Sequence, residues 1–208
     1  MSLLDHRPIV AILRGVRPDE VEAIGDALTD AGIGIVEVPL NSPSPFDSIA
    51  RLASRLAGRA VVGAGTVLTR GEVEQVNEAG GSLVVSPNCE PEVIAHAKSL
   101  GMISLPGVFT PTEAFAALRA GADGLKFFPS SLHGPDGIKA IRAVLPEGTK
   151  VYAVGGVDAG NMGDWLAVGT DGFGIGSALY KPGIDAAQVG ERARGFVAAY
   201  DDAVGDRR

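Results

Sequence analysis

The sequence predicts an α/β protein, a single (β/α)8 or TIM barrel over residues 1–208, and three observations predict it. Eight short β-branched or apolar runs alternate with helix-like patterns at a spacing that fits a strand, a crossover helix and two loops. The joints between them repeat one capping grammar, and no linker or low-complexity tract interrupts the series. The chain has 208 residues and 46% apolar content, enough for one sizeable core. Right-handed crossovers place every helix outside, and closure removes both sheet edges, which favours the barrel over an open doubly wound sheet. The open sheet would be marked by a dinucleotide fingerprint. The nearest match, Gly172-Phe173-Gly174-Ile175-Gly176, has the wrong spacing and lies in the last strand.

The first strand is expected over Pro8 to Leu13, and the first helix opens at Pro18-Asp19-Glu20 and ends before Gly32. Strands two to four follow over Gly34 to Val38, Ala60 to Ala64 and Ser82 to Ser86, the third helix ending at Ala79-Gly80-Gly81. Leu100-Gly101 closes the next helix and leads directly into strand five, Met102 to Leu105, which stops at Pro106-Gly107. Thr110-Pro111-Thr112-Glu113 starts the following helix and Gly121 ends it. Strand six runs from Gly124 to Phe128, strand seven from Lys150 to Val154, and strand eight, after Val168-Gly169, from Gly172 to Ile175.

Composition removes several function classes. A formal net charge of -7 argues against bulk attraction to nucleic acid or an anionic membrane, so an anionic ligand must be captured locally. No signal-peptide pattern and no long uninterrupted apolar stretch is present, and a cytoplasmic location is expected. A single cysteine, Cys89, allows neither an internal disulfide nor a thiolate cluster and reads as small buried filler. His6, His96 and His133, on an N-terminal segment, a helix and a loop, have no metal-ligand spacing, so no metal and no cofactor is expected.

A barrel builds its site at the C-terminal ends of its strands. Those ends carry Arg14-Gly15, Glu37 with Pro39-Leu40-Asn41, Gly63-Ala64-Gly65-Thr66, Ser86-Pro87-Asn88, Pro106-Gly107, Lys126, Gly155-Gly156 and Gly176-Ser177, all expected to face one mouth. Lys126 places an ammonium inside the otherwise apolar strand Gly124-Leu125-Lys126-Phe127-Phe128-Pro129. Burial favours its neutral amine, the form that attacks a carbonyl. Lowering a lysine from about 10.4 to near 7 costs roughly 4 to 5 kcal/mol. The plain alternative is a lysine snorkelling to water or paired with a carboxylate.

Glu37, charged within Ile35-Val36-Glu37-Val38-Pro39, needs a partner, which Lys126 or Arg14 can supply. Beside an imine it would move protons; otherwise it is half of a structural pair. Arg14 and Thr66 offer a guanidinium fork and a hydroxyl to a small keto acid's carboxylate, Thr66 behind a run of small residues that lets a ligand approach the backbone. Thr66 otherwise serves a helix cap. Gly155, Gly156, Gly176 and Ser177 follow the last two strands, where barrels build phosphate sites from backbone N–H groups, although either glycine pair alone would also suit a tight turn.

Taken together, IVAILRG at Ile9 to Gly15, VEVPL at Val36 to Leu40, GAGTVL at Gly63 to Leu68, VSPN at Val85 to Asn88, GLKFFPS at Gly124 to Ser130, AVGGV at Ala153 to Val157 and GIGSALY at Gly174 to Tyr180 span nearly the whole chain. They resemble the 2-keto-3-deoxy-6-phosphogluconate and 6-phosphogalactonate aldolase family. The resemblance implies a (β/α)8 barrel, usually a homotrimer, that works without a metal, with Lys126 forming a Schiff base and Glu37 moving protons. It likewise assigns Arg14 and Thr66 to the substrate carboxylate and Gly155, Gly156, Gly176 and Ser177 to the phosphate.

Family members acting on the gluconate epimer generally have Thr-Leu-Arg-Thr where this chain has Pro39-Leu40-Asn41-Ser42, and Thr where it has Val154. The chain looks more like the galactonate type. That implies cleavage of 2-dehydro-3-deoxy-6-phosphogalactonate, a small phosphorylated keto-deoxy sugar acid, to pyruvate and glyceraldehyde 3-phosphate. The alternatives are the gluconate epimer and 4-hydroxy-2-oxoglutarate. From other classes come a phosphosugar epimerase or isomerase without covalent attachment, and a non-catalytic phosphosugar-binding barrel, whose mark would be a missing Lys or Glu.

Overall fold

The computed structural model describes residues 3–205. After a short 3-10 turn at Leu3–Asp5, the chain runs β1 (Ile9–Ile12), α1 (Val21–Asp30), β2 (Ile35–Pro39), α2 (Pro45–Arg55), β3 (Val61–Gly65), α3 (Arg70–Glu78), β4 (Leu83–Val85), α4 (Pro91–Ser99), β5 (Ile103–Leu105), β6 (Gly107–Val108), α5 (Pro111–Arg119), β7 (Leu125–Phe127), α6 (Ser130–Arg142), β8 (Val151–Val154), α7 (Met162–Ala167), β9 (Gly172–Ile175) and α8 (Ala186–Gly205). All strand pairs are parallel, in the order β5-β4-β3-β2-β1-β9-β8-β7-β6.

The expected fifth strand does not stop at Pro106. It continues through Val108 as β6. Proline has no N–H to give the ladder, so the strand divides there: β5 pairs with β4 and β6 with β7. The Pro106 carbonyl accepts from the Lys126 N–H at 2.9 Å, and Gly107 lies directly against the Pro87 backbone, where a side chain would not fit. The divided strand closes the barrel, so nine assigned strands make an eight-stranded cylinder.

Strand alternation then decides what faces the axis. Ile9, Ala11, Val36, Val38, Val62, Ala64, Leu125, Phe127, Val151 and Ala153 pack in the larger apolar shell beneath the helices. The opposite parity, Val10, Ile35, Val61, Leu83, Val85, Leu105 and Tyr152, fills the barrel interior. Glu37 follows Ile35 by two residues, and Lys126 lies between the outward-facing Leu125 and Phe127. Both therefore belong to the inward set.

Helix starts largely follow the capping grammar. Thr69–Glu72 and Thr110–Glu113 form reciprocal capping boxes. Pro18-Asp19-Glu20 forms a turn before α1 rather than its first turn, and Glu20 is the N-cap. At the opposite end of the barrel, Asp123 accepts from the Ser104 N–H (2.8 Å) and pairs with Lys98. Asp171 accepts from the Val151 N–H (3.0 Å) and pairs with Arg142 and Lys150. These carboxylates tie strand starts to neighbouring elements, so that end is organised for stability.

Candidate active site

A cavity of about 330 Å³ opens at the C-terminal ends of β1, β2, β7, β8 and β9. Its lining includes Arg14, Glu37, Lys126, Phe128, Gly155, Gly156, Gly176 and Ser177. Seven of the eight residues singled out from sequence thus share one space. Thr66 is not among the lining residues, and neither are the ends of β4 and β6, so the cavity takes up one part of the mouth. The site lies on the β9–β1 side, between the strands carrying Lys126 and Glu37.

Burial dominates the electrostatics of the reacting pair. Lys126 is only 7% exposed, and burial lowers its ammonium below the ordinary lysine range, against the pull of Glu37 and with help from the charge of Arg14. Glu37 is 2% exposed; burial raises its carboxyl to about 7, although Lys126 and Arg14 both favour the ionised form. Its Oε2 is buried without a hydrogen-bond partner, and the Lys126 Nζ lies 4.8 Å from the centre of the Phe128 ring. Burial thus pushes both groups toward their uncharged forms, an amine and a carboxyl. They are not locked in a tight ion pair.

Gly65 explains where the Glu37 carboxylate fits. Any side chain at Gly65 would overlap that carboxylate, and one at Gly63 would overlap the Leu83 carbonyl on β4. These small residues make room for Glu37 and for close strand approach, where the sequence alone suggests room for a ligand. Thr66, next in the chain, is half-buried at φ +59°, a strained conformation for a β-branched residue.

Arg14 reaches the rim and donates to the Asn41 Oδ1 at 3.0 Å, while the Gly15 N–H donates to the Ser42 hydroxyl. Residues 41 and 42 thus hold the loop that carries Arg14. On the opposite rim, the Gly155, Gly156, Gly176 and Ser177 N–H groups donate to no protein acceptor among the described residues. Gly155 and Gly156 adopt φ +93° and +81°, which glycine alone takes without strain, and Gly156 packs on Ser131. The Asn161 side chain secures this loop by donating to the Gly156 carbonyl at 2.9 Å. The arrangement presents free donors to an anion.

Sequence reasoning missed Ser130. Its buried hydroxyl donates to the Phe127 carbonyl (2.7 Å) and accepts from the Val154 N–H (2.8 Å), stitching the end of β7 to that of β8. A serine after Pro129 gives no sign of this, because the partner is 24 residues away. His133 lies within α6 rather than in a loop; its ring packs at a tilt against Phe109, centroids 4.0 Å apart, and bonds to the Phe109 carbonyl, outside the cavity lining. Among the described residues no three His, Cys, Asp or Glu side chains gather as a metal-binding group. Cys89 is partly buried against the core with its thiol raised by burial, and no described helix is long and apolar enough to cross a membrane.

The family model for KDPG and KHG aldolase matches residues 1–192. A probable 2-dehydro-3-deoxy-6-phosphogalactonate aldolase of Rhizobium meliloti (strain 1021) is 52% identical over 203 residues, 98% of this chain and 96% of the relative. A solved structure described as native KDPGal superposes with a TM-score of 0.94 at 46% identity, covering 95% of this chain and 96% of that one. A cube-shaped, highly porous cage designed by fusing symmetric oligomeric domains matches with a TM-score of 0.95 at 46% identity, over 96% of this chain and 74% of that one.

Proposed function

The chain belongs to the KDPG and KHG aldolase family and is an aldolase; from that premise we propose that it cleaves 2-dehydro-3-deoxy-6-phosphogalactonate to pyruvate and D-glyceraldehyde 3-phosphate through a Schiff base on Lys126. One observation carries the reading: a buried lysine with a depressed pKa and a buried carboxyl raised to about 7 line the same cavity. The neutral Lys126 amine attacks the C2 keto carbon, and loss of water from the carbinolamine leaves a protonated imine. A base then takes the C4 hydroxyl proton and the C3–C4 bond breaks. Its electrons flow into the imine as an enamine, and glyceraldehyde 3-phosphate departs. Protonation at C3 and hydrolysis release pyruvate and restore the amine. Glu37 serves these proton transfers, because a carboxyl near neutrality can both give and take a proton at the operating pH.

Arg14 holds the carboxylate beside the reacting carbon, and Thr66, outside the cavity lining, has a strained backbone next to Gly65 that supports a functional role for the end of β3. The free N–H groups at Gly155, Gly156, Gly176 and Ser177 hold the phosphate. Val154, inward-facing and lining the cavity, offers no hydrogen bond to a substrate hydroxyl, and this favours the galactonate epimer. The protein works in the cytoplasm as a homotrimer. The matched cage of symmetric oligomeric domains supports self-association, as do the exposed apolar residues Leu68, Phe109 and Leu132 on the mouth side.

Incubation with pyruvate and borohydride should add a stable mass to the peptide containing Lys126, and a coupled assay should show pyruvate release from the galactonate epimer ahead of the gluconate epimer. Failure to label that peptide rules out the covalent mechanism. Preference for the gluconate epimer rules out the substrate.

A further inference from the structure

We propose that Lys181 is a second substrate-binding cation, which grips the phosphate end of the substrate and sets the preference for phosphorylated over unphosphorylated keto acids. The proposal rests on the aldolase reading above and extends it. Three basic side chains line the cavity, Arg14, Lys126 and Lys181, against a single acid, Glu37. In a chain of net charge -7 this is a local reversal of sign, as capture of an anion at two ends requires. Lys126 is taken up by the keto carbon. Arg14 acts on both reacting groups, since its charge contributes to the shifts of Glu37 and of Lys126. In the aldolase reading it holds the carboxylate, next to the reacting carbon.

Lys181 is placed at the other end. Lys181 lines the cavity from its exposed rim. Its backbone is nonetheless fixed beside the free donors of Gly176 and Ser177. Residues 176–180 form a turn in which the Leu179 and Tyr180 N–H groups donate to the Gly176 carbonyl at 2.8 and 3.0 Å. The Tyr180 hydroxyl donates to the Glu20 carboxylate at 2.9 Å, and Pro182 packs so closely on Gly15 that a side chain there would meet its ring. The Lys181 side chain itself is exposed and makes no ion pair among the described residues. A held backbone with an uncommitted ammonium beside unpaired N–H groups is suited to a phosphate, which takes several donors and a point charge together.

The test compares the unsubstituted protein with Lys181→Met and Lys181→Arg, on the phosphorylated substrate and on its unphosphorylated analogue, with pyruvate–borohydride labelling of Lys126 alongside. Lys181→Met should raise KM for the phosphorylated substrate about ten-fold, as for loss of one charged contact. Its kcat should stay within a few-fold, the unphosphorylated analogue should be turned over as before, labelling should be undiminished, and Lys181→Arg should recover most of the loss. An unchanged KM overturns the proposal, and so does an equal loss on both substrates. Weaker pyruvate labelling in Lys181→Met also overturns it, because the lysine would then serve the carboxylate. Absence of labelling in the unsubstituted protein removes the aldolase mechanism and this proposal together; normal labelling with an unmoved KM removes this proposal alone.

Discussion

Glu37 is where burial and chemistry meet most directly. Its carboxyl is raised from 4.5 to about 7, so the folded state binds the proton more tightly than the unfolded chain does. The associated stability is complete below the unfolded value and is lost as pH rises through about 7, an effect of up to about 3 kcal/mol. Glu37→Gln removes it. In urea titrations at pH 5 and pH 8, the unsubstituted protein should lose stability relative to Glu37→Gln at the higher pH, and the variant's kcat should fall by roughly 10²–10⁴-fold. Gly65 tests the same carboxylate from its other side. Gly65→Ala puts a methyl on Glu37 and should cost about 1–3 kcal/mol together with most of the activity. The matched change Gly71→Ala, in open space on α3, should stabilise by about 0.5–1 kcal/mol and leave kinetics alone.

Elements are joined at the site by hydrogen bonds that cross between strands, and these can be separated from bonds that merely start helices. Ser130→Ala leaves the buried Val154 N–H without its acceptor and frees the end of β7 from that of β8. It should cost about 1–3 kcal/mol and lower kcat, because the strand bearing Lys126 and the loop bearing Gly155 then lose their common tie. Thr110→Ala removes a capping box on α5, outside the cavity lining, and should cost about 1 kcal/mol with turnover unchanged. Thermal or urea unfolding combined with steady-state kinetics distinguishes the two outcomes.

At the scale of the whole molecule, the barrel mouth has two sides. The β1, β2, β7, β8 and β9 ends surround the cavity, while the β3, β6 and β7 side carries Leu68 at 45% exposure, Phe109 at 41% and Leu132 at 73%. Phe109 packs at a tilt against His133, which brings the loop after β6 against α6 and places Leu132 beside it. The proposed trimer would use this exposed apolar rim as its contact surface. Leu132→Asp should shift the mass measured by light scattering from trimer toward monomer, with the barrel's circular dichroism retained; an unchanged trimer would move the interface elsewhere.

The sequence alone determined the (β/α)8 succession, because hydrophobic period, proline at helix starts and glycine at helix ends act over a few residues and are written locally. It also placed Lys126, Glu37, Arg14 and the four rim residues at strand ends, since a charge inside an apolar run is visible without a fold. Only the tertiary structure decided that Pro106 divides the fifth strand between two neighbours, that Gly65 makes room for Glu37 rather than for a ligand, and that Thr66 stands outside the cavity lining. Ser130 and Lys181 likewise owe their positions to partners distant in the chain. Each of these depends on which strands become neighbours when the sheet closes, a long-range outcome of packing that no short window of residues encodes.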